Sequence, residues 1–85
     1  MKSSEVKVLW ADGLHARAAS RVVMLAKEFR ANVQLRCGEK VASARSIIGI
    51  MLLCAAMGAS VQVEADGPDE DQAVQAVAEL FQSGR

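Results

Sequence analysis

Between Ala16 and Arg30 the apolar residues Ala19, Val22, Val23, Ala26 and Phe29 recur at helical spacing and form one stripe. A helix with a single apolar stripe draws most of its stability from a second layer that covers it. Its opposite side is Arg17, Ser20, Arg21, Met24, Lys27 and Glu28, largely basic with one methionine among them. The other patterned segments are short and alternate with period two, which reads as strand. They run from Glu5 to Trp10, Val33 to Cys37, Lys40 to Ala42 and Ser60 to Ala65. Ala11-Asp12-Gly13, Gly38-Glu39 and Asp66-Gly67-Pro68 are turns. Ser43 or Ser46 can cap a short helix running from Ile47 to near Leu53, and Gly58 breaks the apolar run beyond it. A last helix opens on Asp69-Glu70-Asp71, acids placed where the helix dipole favours them. It carries the stripe Ala73, Val74, Val77, Leu80 and Phe81 and stops at Gly84.

The order is β-α-β-β-α-β-α. Four short strands and one-faced helices predict an α+β fold, a two-layer open-faced β-sandwich. Its four-stranded antiparallel sheet is covered on one face by three helices. With 85 residues the chain makes one domain, residues 1–85, with a small core. Aromatics are scarce, so base-stacking platforms are nearly absent, and the formal net charge is zero. Both facts argue against a nucleic-acid partner. The longest apolar run, Ile47 to Ala59, is too short to span a bilayer as a helix, and MKSSEVKVLW lacks the apolar core of a signal peptide. Cys37 and Cys54 are too few for a disulfide scaffold and, with one histidine, do not make a zinc site. They read as buried or half-buried thiols of a protein in the reducing cytoplasm. No metal and no cofactor is expected.

Charge is unevenly spread. From His15 to Arg45 there are seven basic and two acidic residues; from Val61 to Arg85 there are six acidic and one basic. A basic half suggests docking to an acidic partner.

The only histidine stands in GLHARAAS, after Gly13 and at the start of the first helix. A helix start offers unpaired backbone N–H groups and the positive end of the dipole. That setting disfavours a second positive charge and favours an imidazole with a free lone pair, which is a nucleophile. The same N–H groups would receive an anion, and Arg17 adds donors suited to phosphate oxygens. These parts describe a site that takes a phosphoryl group on His15 and holds it in the open. A capping or surface histidine fits the bare pattern as well. A metal site and a catalytic triad lack companions.

GLHARAAS is similar to the active-site signature of the HPr family, the histidine-containing phosphocarriers of the bacterial phosphoenolpyruvate-dependent sugar phosphotransferase system. A second stretch, KVASARSIIGIM from Lys40 to Met51, resembles the regulatory-serine segment of that family. The resemblance covers essentially the whole chain. It implies that enzyme I passes a phosphoryl group to Nδ1 of His15, that Arg17 stabilises its charge, and that a histidine of a sugar-specific IIA domain receives it. Such a protein is a carrier rather than an enzyme, because its partners supply the catalytic machinery, and it is expected to be a monomer. Ser46 matches the serine that a dedicated HPr kinase/phosphorylase modifies in some bacteria, where a transcriptional regulator is a further partner. Ser20, Arg21, Met24 and Lys27 would join Ile47, Ile48 and Met51 in a docking face with an apolar centre and a basic rim. Ala18 departs from the proline common in relatives, and Cys54 stands where they often have a small or acidic residue. Two other readings are a nitrogen-branch regulatory phosphocarrier and a binding module that never carries phosphate.

Overall fold

The computed structural model describes residues 1–53 and 56–83. The expectations for Cys54 and for Gly84 as a helix stop lie outside these residues. Seven elements follow in the expected order: β1 (Lys2–Lys7), α1 (Ala16–Ala26), β2 (Asn32–Cys37), β3 (Lys40–Ser43), α2 (Ile47–Met51), β4 (Ser60–Asp66) and α3 (Glu70–Ser83). The strands form one antiparallel sheet in the order β1-β4-β2-β3.

The period-two alternation decides which face is covered. The register sets Val6 opposite Val61, Val33 opposite Ala65, and Leu35 opposite Val63 and Ala42. All of these side chains are buried. The intervening Gln34, Arg36 and Gln62 are exposed on the other face. There Arg36 Nε donates to Glu64 Oε2 at 3.3 Å. Helix α3 packs on β1, β4 and β2, α2 packs on β3, and α1 lies against both helices. From α1 the core receives Ala18, Ala19, Val22, Val23 and Ala26, and from α3 it receives Ala73, Val74, Val77, Ala78 and Phe81.

Several boundaries differ from the sequence pattern. Strand β1 covers Lys2–Lys7 rather than Glu5 to Trp10. Strand pairing is made by backbone groups, and β4 offers partners from Ser60 to Ala65, so polar Lys2, Ser3 and Ser4 join the ladder. Val8 still bonds to the β4 approach, with its N–H on Ala59 O at 2.9 Å and its C=O accepting from Gly58 N–H at 2.7 Å. Helix α1 ends at Ala26 rather than Arg30. The N–H groups of Glu28 and Phe29 bond back to the carbonyls of Leu25 and Ala26, a tightened last turn that closes the helix. Helix α2 stops at Met51, with Leu52 and Leu53 in the turn after it. In α3, Ala78 faces the core and Leu80 is only partly buried.

One polar tie joins the start of α3 to the α1–β2 link. Asp69 accepts hydrogen bonds from the backbone N–H of Arg30 at 2.9 Å and of Ala31 at 2.8 Å. Gly67, at φ 155°, permits this crossing, because a Cβ there would lie 2.6 Å from Ala31 Cα. The N–H of Arg30, with that of Ala31, holds the Asp69 carboxyl below the usual carboxylate range. A group depressed in the folded state contributes stability above its unfolded value and loses it as pH falls through the folded one. Urea midpoints of the parent protein should therefore fall below about pH 4. Asp69→Asn should be less stable at neutral pH and show a weaker acid dependence. Equal acid dependence in the two proteins would remove Asp69 from this account.

Candidate functional site

The turn before α1 is closed by the N–H of Gly13 on Trp10 O at 2.9 Å. Gly13 has φ 76°, in the left-handed region where a glycine costs least. The next residue, Leu14, is buried in the core. This anchor delivers His15 to the N-cap of α1 with φ −100° and ψ −169°. Its carbonyl accepts the N–H of Ala19 at 2.9 Å, while its side chain makes no cap hydrogen bond. The imidazole is thus free of a capping role, and its side chain is 49% exposed.

His15 opens on a cleft of about 320 Å³ lined also by Trp10, Asp12, Arg17 and Arg21. Arg17 and Arg21 stand four residues apart on α1, one turn, so both cations share a face of the helix. The N–H groups of the first turn of α1 add donors at its positive end. A nucleophilic nitrogen, two guanidinium groups and a helix start around an open cleft can receive a tetrahedral anion and leave it reachable by another protein.

Two residues of this cleft are not singled out by the sequence pattern. Asp12 reads as a turn residue, yet its Oδ2 lies 3.4 Å from His15 Nε2. An acid three positions ahead of a lone histidine was the available signal. Trp10 reads as the end of a strand, yet it turns inward. Its ring meets Phe81 edge-on, with centroids 5.1 Å apart and planes at 68°. Its Nε1 is buried and has no hydrogen-bond partner among the described residues.

Ser46, rather than Ser43, caps α2: its Oγ accepts the N–H of Gly49 at 3.0 Å. The fit is close, since a Cβ at position 49 would meet that oxygen at 3.0 Å. The guanidinium of Arg45 donates to the carbonyls of Phe29 and Ala31. Helices α1 and α2 are packed together. Ser20, Arg21 and Met24 are exposed on the first, with Lys27 exposed at its C-cap, and Ile47, Ile48 and Met51 are exposed on the second. Ile48 is 71% and Met24 65% exposed, large apolar side chains left facing water. Leu52, at 65% exposure just past α2, extends the apolar set beyond the residues read from the sequence.

Cys37 is a free, half-buried thiol. Among the described residues, no group of three or more His, Cys, Asp or Glu side chains could hold a metal ion. No helix among them is long and apolar enough to cross a membrane.

Comparison with known proteins points to one family. The family model described as the PTS HPr component phosphorylation site matches residues 2–83. The phosphocarrier protein HPr of Xylella fastidiosa is 42% identical over 71 residues, spanning 84% of this chain and 80% of its own. The phosphocarrier protein NPr of Shewanella violacea is 43% identical over 68 residues, spanning 80% of this chain and 75% of its own. A crystal structure of HPr from Thermoanaerobacter tengcongensis matches with a TM-score of 0.94 at 34% identity, covering 99% of this chain and 94% of that one.

Proposed function

Because the chain belongs to the HPr family of phosphocarriers of the phosphotransferase system, we propose that it carries a phosphoryl group on His15 between phosphorylated enzyme I and a histidine of sugar-specific IIA domains. The observation that carries this reading is the His15 side chain itself: half exposed, unused as a cap, and set in one cleft with Arg17 and Arg21. In the transfer, the lone pair of Nδ1 attacks phosphorus and the bond from phosphorus to the donor breaks. Arg17 and the N–H groups at the start of α1 stabilise the charge on the phosphoryl oxygens. The partners supply the catalytic machinery, and the carrier acts as a monomer in the cytoplasm.

Arg21 and Met24 of α1, Lys27 at its C-cap, and Ile47, Ile48 and Met51 of α2 form the docking face in this reading, with Ser20 at its edge. An apolar centre with a basic rim suits a transient complex with an acidic partner. Arg21→Glu should slow phosphoryl uptake from enzyme I about tenfold at low salt, with an unchanged melting curve. Equal uptake rates at low salt would remove Arg21 from the docking face. Ser46 is the regulatory position: a phosphate on its exposed Oγ would bring about two negative charges beside Ile47 and Ile48 and oppose the same partner.

The similarity to an NPr supports a second reading, in which the same chemistry serves a nitrogen-branch enzyme I. Intact mass after incubation with phosphoenolpyruvate, magnesium and an enzyme I of each branch tests both. One added phosphoryl group, labile in acid, is expected, and the faster donor assigns the branch. Absence of addition with both donors, on folded protein, would leave the non-phosphorylated binding module as the better reading.

A further inference from the structure

We propose that Asp12 is a positioning residue for His15: its carboxylate holds the proton on Nε2, so that the phosphorylated ring departs from phosphorus as neutral imidazole. The proposal rests on the reading of His15 as the phosphoryl acceptor. Three charged side chains line the cleft with His15, namely Asp12 from the preceding turn and Arg17 and Arg21 from α1. Asp12 is the one carboxylate of the set, and its oxygen lies 3.4 Å from Nε2. The two ring nitrogens direct their lone pairs apart. A carboxylate against Nε2 leaves Nδ1 as the nitrogen with the free pair, on the side away from the acid. The arginines are then left to meet the phosphoryl group.

The chemistry follows from the balance of the step. On loading, Nδ1 gives its lone pair to phosphorus while Nε2 keeps its proton, so the ring becomes a cation. Asp12 faces that cation. On delivery, the P–Nδ1 bond breaks and its electron pair returns to Nδ1. With Nε2 protonated, neutral imidazole leaves; without that proton, imidazolate would have to leave, and it is a far poorer leaving group. The contact is long for a hydrogen bond and both side chains are well exposed, so its influence in the resting protein is small. A cationic ring makes it a charge-assisted contact and shortens it.

The test loads the full chain with phosphoramidate, a small chemical donor that needs no enzyme I, and places the phosphoryl group by phosphorus NMR. Release from the parent, Asp12→Asn and Asp12→Glu proteins is then followed by intact mass from weakly acid to alkaline pH. Asparagine keeps the size and an acceptor oxygen but removes the charge. At alkaline pH the Asp12→Asn protein should release the group about threefold more slowly, with its alkaline limb moved to lower pH. The acid limbs should coincide, because the ring is protonated in each protein there, and Asp12→Glu should restore the parent profile. Coincident profiles for parent and Asp12→Asn would overturn the role of Asp12 and leave the carrier reading intact. Failure of the parent to load on His15 would overturn both. Asp12 is 82% exposed, so the substitution should leave the fold unchanged, and a melting curve checks this.

Discussion

A His15→Ala protein should fold like its parent and take up no phosphoryl group at all. The two halves of this result come from different features. Folding survives because the imidazole makes no cap hydrogen bond; the first bond of α1 uses the carbonyl of residue 15, which alanine also has. Replacement of such an exposed side chain typically changes stability by no more than about 0.5 kcal/mol. Uptake is lost because Asp12, Arg17 and Arg21, the other charged groups of the cleft, supply no comparable nucleophile at its centre. Intact mass after exposure to phosphorylated enzyme I gives the uptake, and circular dichroism gives the fold. A phosphoryl group found on the variant would move the acceptor elsewhere. The variant has no histidine left, so a group stable in acid would mark a phosphoserine, with Ser46 the first candidate.

Phe81→Ala should be the most damaging single truncation in the core, at about 3–5 kcal/mol. Phe81 is fully buried and is the largest of the fully buried side chains among the described residues. Truncation loses its contacts and leaves a void in a core built mostly of Val and Ala, side chains too short to fill it. For a domain with roughly 5–15 kcal/mol in total, such a loss is a large fraction. Trp10 would also lose the ring it meets edge-on, and with it the support for one wall of the His15 cleft. The variant should therefore melt far below the parent and load more slowly even where it is still folded. A loss below about 1 kcal/mol in urea denaturation would show that the core closes over the gap, and that Phe81 is not its wedge.

The order of elements was legible because two periods alternate along the chain. Ala19, Val22, Val23 and Ala26 can share a face only in a helix, whereas Val61 and Val63 can do so only in a strand. The helix start at His15 was legible too, since Gly13 marks the turn and a sustained helical period follows it. The polar beginning of β1 was not, because backbone pairing with β4 leaves no mark on Lys2, Ser3 or Ser4. The early end of α1 was not, because Phe29 keeps the helical spacing after the backbone has left it. At the site, the basic side of α1 followed from its period. Three apolar side chains left exposed on α2 followed from the family resemblance, since a pattern of burial cannot announce its own exception. Asp12 and Trp10 went unseen because their roles depend on how a turn folds back on His15.

The cleft residues named above, Trp10, Asp12, His15, Arg17 and Arg21, all lie within one short span of the chain. The anchors Leu14, Ala18 and Ala19 lie within that span, and Val22 follows directly after it. The cleft behaves as a cassette clipped onto the scaffold at these four points. Changes in the sheet or in α3 alter how firmly it is clipped, while its chemical contents travel together in a single contiguous piece.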